Sequence, residues 1–344
     1  MRDPVRVGCA SGFWGDSSIA APQLVGSGRL DYLVFDYLAE TTMAILAGAR
    51  LRDPNAGYAT DFVTVAMRSV LAEIASRGIR IVSNAGGVNP RACAQALEAL
   101  AGELGVEIAV AVIEGDDVFT SLGATVGAGA VSANAYLGAT PIAAALEAGA
   151  QVVITGRCVD SALALGPLMH RFGWSAGDYD RLASGSLAGH LIECGAQATG
   201  GLFTDWRDVP DWPHIGYPIV EVEPDGTFVV TKPPGTGGLV TPATVAEQLL
   251  YEIGDPGAYA LPDVVCDFRA VAMRQDGPDR VRVTGARGRA PGDAYKVSAT
   301  YLDGFRCSAT LTIVGFEAAA KALTNTILAN AIKYEARICP PPCP

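Results

Sequence analysis

Histidine is scarce in this chain: three in 344 residues. No second histidine stands at a zinc-partner spacing from another, so a histidine-based zinc centre finds little support. The eight cysteines, at 9, 93, 158, 194, 266, 307, 339 and 343, form no C-x-x-C pair. The nearest approach, Cys339-Pro-Pro-Pro-Cys343, lies in a proline-rich tail. Dispersed cysteines of this kind read as buried reduced thiols. Cations are also in short supply. Twenty-five Lys and Arg stand against 36 Asp and Glu, a net charge of −11, which argues against nucleic acid as a partner. No apolar run reaches the roughly 20 residues of a membrane span. Arg2, Asp3 and Arg6 interrupt any apolar start that would read as a signal peptide. A cytoplasmic protein without a membrane partner is expected. Two nucleotide signatures are missing as well. Gly8-x-x-x-Gly12-x-x-Gly15 is not G-x-G-x-x-G, and in Lys232-Pro-Pro-Gly-Thr-Gly-Gly238 the lysine precedes the glycines, unlike a P-loop. No nicotinamide or zinc cofactor is implied, and no metal ligands are assigned.

Half the residues are apolar, enough for a sizeable core. The first 155 residues alternate short apolar runs with amphipathic stretches. Val5–Cys9, Tyr32–Asp36, Ile79–Asn84, Ile108–Ile113 and Gln151–Thr155 read as buried strands, and Asp61–Arg77 and Pro90–Gly105 as helices. Gly78 and Gly105 stand where a helix-ending glycine belongs. Ser121–Gly149 reads as loop plus helix. This alternation predicts a parallel sheet covered by helices. An open three-layer sheet is preferred, with a barrel as the alternative. From Pro218 the texture changes. Asp225-Gly226, Asp276-Gly277 and Asp303-Gly304 each separate two strand-like runs, the signature of hairpins. One helix is expected at about 242–253 and another at about 315–336. The fold class expected is therefore α/β, a mostly parallel three-layer sheet followed by a mainly antiparallel α+β region. Its divisions are 1–215, 216–336 and a tail at 337–344 that is expected to be poorly ordered.

The chemistry is expected in loops that follow strands. Val5–Cys9 empties into a glycine-rich loop ending at Asp16. Val152-Val153-Ile154 runs into Thr155-Gly156-Arg157-Cys158-Val159-Asp160. The Lys232–Gly238 run precedes a helix opening at Thr241-Pro242. Such junctions at the carboxyl edge of a sheet suit a small anionic ligand. Binding candidates are Ser11, Gly12, Asn84, Gly86, Gly87, Asn89, Arg157, Lys232, Gly235, Thr236 and Gly237. Arg157 reads either as an anion clamp or as a brace for Asp160. Asn84–Pro90 reads either as a ligand loop or as a capped turn, with Asn89 as N-cap. Catalytic candidates are His190, Glu193, Asp16, Glu40 and Asp160, with Asp36, Glu114, Asp116 and Asp117 as further strand-end carboxylates. His190 and Glu193 fall on one face if that segment is helical, the spacing of an imidazole oriented by a carboxylate. A purely structural histidine is the alternative. Asp205-Trp206, Trp212 and His214-Ile-Gly216 form a connector that either plugs two regions together or lines a pocket.

Several segments together resemble the acyclic terpene utilisation AtuA family. They are VRVGCASGFWGD (5–16), LDYLVFDYLAE (30–40), IRIVSNAGGVNP (79–90), ITGRCVDSALALGPLMHRFGW (154–174), LAGHLIECGAQATGGLFTDW (187–206), VVTKPPGTGGLVT (229–241) and EQLLYEIGDPGAY (247–259). One departure is Cys9-Ala10-Ser11, where a more glycine-rich version is expected. The resemblance implies a place in the degradation of branched terpenoid acids such as citronellate and geranylate as CoA thioesters. A hydratase or lyase step on a branched 3-hydroxyacyl-CoA follows from that context. The expected partners are a small carboxylate or acyl-CoA and further copies of the chain. Many relatives continue beyond the point where this chain stops, so any function residing in such an extension is expected to be missing or supplied by a small partner subunit. Two other readings stay open: a non-catalytic binding subunit of an acyl-CoA-processing complex, and a metal-dependent hydrolase using Asp16, His190 and Glu193.

Overall fold

Side chains alternate across a strand, and β1 (Val5–Cys9) shows what that does here. Val5, Val7 and Cys9 enter one core. Gly8 turns to the other face, against Leu24 and Leu30. A sheet buried on both faces results, as a parallel sheet requires. The computed structural model describes residues 3–304, and residues 1–300 make up one compact unit.

In chain order the first strands are β1, β2 (Tyr32–Phe35), β3 (Arg80–Ser83), β4 (Val110–Ile113), β5 (Ala130–Ala135) and β6 (Val152–Thr155). All but β5 lie parallel in one open sheet, in the order β1-β2-β3-β6-β4. Val7 pairs with Tyr32, Tyr32 with Arg80 and Ile81 with Val152. The second half of the chain extends the same sheet. β7 (Ile219–Val222) pairs antiparallel with β1, Val5 opposite Val222. β8 (Phe228–Thr231) follows, then, past β9 (Tyr259–Ala260) and β10 (Val265–Asp267), β11 (Ala272–Gln275) and β12 (Val281–Thr284). The full order is β11-β12-β8-β7-β1-β2-β3-β6-β4. The change of texture near residue 216 thus marks a reversal of strand direction inside one sheet. β9 and β10 join β13 (Arg287–Arg289) in a small antiparallel sheet.

The helices are α1 (Ala20–Gly26), α2 (Glu40–Arg52), α3 (Arg68–Arg77), α4 (Pro90–Leu104), α5 (Phe119–Leu122), α6 (Thr140–Glu147), α7 (Ala162–Phe172), α8 (Tyr179–His190) and α9 (Pro242–Leu250). Leu24 of α1, Leu71 of α3 and Leu97 of α4 share a core with Leu33, Phe35 and Ile81 of the sheet. Ile142, Leu163 and Leu187, from α6, α7 and α8, pack with Val7 and Val34 on the opposite face. Three layers follow. The punctuation is that expected from the residues. Gly78 and Gly105 are left-handed at φ 65° and 66° and end α3 and α4. Asn89 accepts the Ala92 N–H with Pro90 behind it. Thr241 and Thr244 exchange capping bonds at the start of α9. Gly226 at φ 94° turns the β7–β8 hairpin. The helix before α3 opens with a π turn, Phe62–Met67, and β5 occupies part of the 121–149 stretch, where the sequence predicts only loop and helix. The expected strand after Asp303-Gly304, the helix at 315–336 and the tail lie outside the described residues.

Candidate functional site

The carboxyl ends of β1, β2 and β6 open on a cavity of about 710 Å³. Gly12 follows β1, Asp36 ends β2, and Arg157 and Asp160 follow β6, all on its wall. This is where an open α/β sheet presents ligand-binding loops. Its size is that of a small-molecule site. From the other side Glu193, Tyr251, Glu252 and Tyr259 complete the lining.

Arg157 is the fixed cation. It is buried, and its Nη1 donates to the Leu38 carbonyl at 3.1 Å and to Asp160 Oδ1 at 2.7 Å. Its own N–H donates to the Asp116 carboxylate at 2.9 Å. Nε is buried with no hydrogen-bond partner among the described residues. Burial works against the charge, but Asp160, Tyr136 and Asp36 outweigh it and shift the guanidinium up. Three carboxyls, Asp36, Asp160 and Glu193, line the same cavity. Asp36 accepts from the Asn84 side-chain amide at 2.6 Å and from the Leu38 N–H at 3.3 Å. Burial, then the charges of Asp160 and Glu193, push Asp36 well above the usual carboxylate range. Asp160 and Glu193 are raised for the same first reason, burial.

Behind Glu193 stands His190, the last residue of α8. Its Nδ1 and Glu193 Oε1 are 2.8 Å apart, so the pairing expected from the spacing is made. Only Glu193 reaches the cavity; His190 is enclosed behind it. Gln248 of α9 donates to the His190 carbonyl at 2.8 Å. His190 Nε2 has no partner among the described residues. Burial disfavours its imidazolium, yet the Glu193 charge and hydrogen bond win and shift it up. The pairing thus favours the imidazolium and, on the other side, the Glu193 carboxylate, whose upward shift comes from burial. His190 acts on the cavity through Glu193, not directly. Gly189 and Gly195, on either side of the pair, serve close packing. A Cβ on Gly189 would lie 2.5 Å from the Ser161 carbonyl, and one on Gly195 3.0 Å from Asp16 Oδ2.

Glu40, the first residue of α2, is different in kind. Its Oε1 accepts from Tyr136 Oη at 2.6 Å and from Lys296 Nζ at 3.1 Å. The Tyr136 bond first, against some burial, holds this carboxyl down at about 2. A carboxylate that reluctant to take a proton suits charge pairing more than proton transfer. The Arg157 guanidinium carbon and Lys296 Nζ lie 4.0 and 4.4 Å from the Tyr136 ring centroid.

The remaining candidates support the site from outside the cavity. Asp16 accepts from the Gly12 N–H at 2.9 Å and from Tyr217 Oη at 3.2 Å, tying the first loop together. Ser11 Oγ donates to the Phe13 carbonyl at 2.8 Å. Asn84 backs Asp36. A Cβ on Gly86 would lie 2.4 Å from the Thr155 carbonyl, and Gly87, at φ +55°, packs on Leu46 and Gly57. Asn89 is spent on its cap and on the Pro54 and Ala56 carbonyls. The loop from Lys232 is closed on itself. Lys232 Nζ meets the Thr236 carbonyl at 2.8 Å and Asp279 Oδ2 at 3.0 Å. Thr236 Oγ1 donates to the Pro233 carbonyl, and a Cβ on Gly237 would strike the Asp211 carbonyl. Gly235, left-handed at φ 76°, only turns that loop. None of these lines the cavity, because main-chain and carboxylate partners already saturate them. The Asp160 carboxylate goes to Arg157, and its carbonyl accepts from the Leu163 N–H at the α7 start. Trp206 and Trp212 plug nothing, being substantially exposed. Tyr136, Tyr251, Glu252, Tyr259 and Lys296 are additions to the site, which also takes in the strand-end candidate Asp36. Asp36 is marked in the sequence by its place at a strand end. The left-handed backbone of Glu252, φ 59°, leaves no sequence signal.

Gly12 approaches the Cys194 backbone so closely that a Cβ would fall 2.6 Å from its carbonyl carbon. Gly12→Ala is expected to push the 8–16 loop and the Glu193–Cys194 turn apart, and to lose ligand affinity with a smaller loss of melting temperature. Calorimetric titration alongside a thermal melt checks this; unchanged affinity would show that the contact is slack.

All five cysteines of the described residues are free thiols, and four are buried. Among those residues no group of three or more His, Cys, Asp and Glu side chains is arranged to hold a metal ion, and no helix is long and apolar enough to cross a membrane.

Fold and cavity together define an α/β protein with a carboxyl-lined cavity at its strand ends. The chain belongs to the acyclic terpene utilisation AtuA family, whose model matches residues 5–337. The family's name places its members in acyclic terpene utilisation. No curated protein and no solved structure matches the chain.

Proposed function

We propose that this protein is an enzyme of branched, terpenoid-type acid catabolism that moves a proton on a carboxylic acid or its CoA thioester, in a hydration, dehydration or related C–C cleavage. One observation carries the reading: Asp36, Asp160 and Glu193 converge on one cavity against a single fixed guanidinium, with their proton affinities raised. Displaced carboxyl pKa values in a cleft are what acid–base chemistry near neutrality needs. In dehydration of a 3-hydroxyacyl group, one carboxylate takes the proton from C2. A neutral carboxyl protonates the departing 3-hydroxyl, the C–O bond breaks as C2=C3 forms, and water leaves. Asp160, paired with Arg157, is the ionised member and the base. Glu193, backed by His190, or Asp36 is the acid. Arg157 stabilises negative charge developing on the carbonyl oxygen.

Six acidic residues and two basic ones line the cavity. That balance favours an acyl group inside, with the phosphates of a CoA carrier outside. The test is exchange of the C2 proton of a branched 3-hydroxyacyl-CoA with deuterium oxide, read by mass spectrometry. Wild type should exchange, and Glu193→Gln should lose about 10²–10⁴-fold in rate, as for loss of a general acid or base. Absence of exchange in wild type would overturn the proton-transfer reading. His190→Ala should slow exchange and shift its pH profile, since His190 works by setting the charge of Glu193.

A further inference from the structure

We propose that Tyr136, Lys296 and Arg157 form a subsite for the carboxylate of an organic acid, and that Glu40 occupies it as an internal stand-in which the ligand displaces. The proposal rests on the cavity being the ligand site, as above. The main chain of the cradle is fixed, while the Lys296 side chain is itself 67% exposed. The Tyr136 N–H donates to the Lys296 carbonyl at 3.0 Å and the Leu137 N–H to the Arg157 carbonyl at 3.3 Å, so neighbouring main chains lock the three residues together. Tyr136 and Arg157 are buried. The occupant is not fixed. The Glu40 side chain is 60% exposed and sits at the first turn of α2, free to swing outward. An exposed ion pair of this kind contributes little to folding, so the cradle outlasts its departure.

The chemistry selects the ligand. A phenol hydroxyl and an ammonium converge on one carboxylate oxygen, and the Arg157 guanidinium lies over the Tyr136 ring, 4.0 Å from its centroid, on the same wall. The depressed pKa of Glu40 shows that the cradle favours a carboxylate anion. Exchanging Glu40 for a ligand carboxylate leaves the local charge unchanged. A dianion such as phosphate would instead add charge beside Asp36, Asp160, Glu193 and Glu252, which line the same space.

The probe is isovalerate, titrated calorimetrically into the full chain. Glu40→Ala should bind it about tenfold more tightly than wild type, equivalent to about 1.4 kcal/mol. Glu40→Gln should move in the same direction. Adding Lys296→Met or Tyr136→Phe to Glu40→Ala should cancel the gain. Inorganic phosphate should show no gain. Equal or weaker isovalerate binding in Glu40→Ala, or a parallel gain for phosphate, overturns the proposal. The outcome is separable from the proton-transfer reading. Isovalerate affinity needs no turnover, so Glu193→Gln added to Glu40→Ala should keep the gain while abolishing exchange.

Discussion

Asp36→Asn should remove turnover and raise the melting temperature in one and the same variant. The carboxyl lies buried after β2, and burial, Asp160 and Glu193 all raise its pKa. A raised carboxyl makes its full contribution to stability below the unfolded pKa of about 3.9, and that contribution is lost as pH rises through the folded value. At neutral pH wild type therefore bears the cost of ionising in this site, and asparagine does not. The amide oxygen can still accept from Asn84 and Leu38, which now serve Asp36. Every tenfold rise in the proton affinity of the folded carboxyl corresponds to about 1.4 kcal/mol. A gain of at least about 2 °C is expected near pH 7, shrinking to nothing below about pH 4. Proton exchange on substrate should fall by about 10²–10⁴. Melting curves across pH, beside the exchange assay, decide the matter. A variant that is less stable at neutral pH, or one that turns over normally, would take Asp36 out of the chemistry.

Arg157→Met carries the second large effect, in the opposite direction. Its hold on Asp160, Leu38 and the Tyr136 ring is the brace that the sequence offers as one reading of Arg157. Removing one partner from a buried ion pair costs about 3–5 kcal/mol, because the charge left behind is uncompensated. Here the charges left behind are carboxylates. The penalty should be largest near pH 7.5 and diminish toward pH 4.5 as they protonate. Denaturant titrations at the two pH values supply the comparison. A loss independent of pH would mean that Arg157 acts through packing alone. Arg157→Lys should recover part of the stability and little ligand affinity, since an ammonium lacks the planar fork.

Period and punctuation made much of the fold legible. Val152–Ile154 is a continuous apolar run because both faces of the sheet are covered there, and Asp225-Gly226 announces a turn that any strand pair would need. What local pattern does not encode is adjacency. Nothing near Val5 says that Val222 will lie beside it, and nothing in β6 says that it will separate β3 from β4. The site divides along the same line. Gly12, Arg157, Asp160, Glu40 and Glu193 sit in segments whose composition marks them. Tyr136 and Lys296 come from stretches without a motif, and they reach the cavity only through main-chain bonds between distant segments. The Lys232–Gly237 run misleads for a related reason. A lysine beside glycines looks ready for an anion, but Asp279, far along the chain, already neutralises it.

The position of β1 has a consequence for synthesis on the ribosome. One of its edges is satisfied early by β2, but the other waits for β7, whose last residue is Val222. At 5–20 residues per second, the interval is on the order of 10–40 s. Throughout it the nascent chain presents an unpaired apolar strand, the kind of edge on which chains pair with one another. Heterologous expression should therefore respond to slower initiation, lower temperature or added trigger-type chaperones, with the gain appearing as soluble yield rather than as a higher melting temperature.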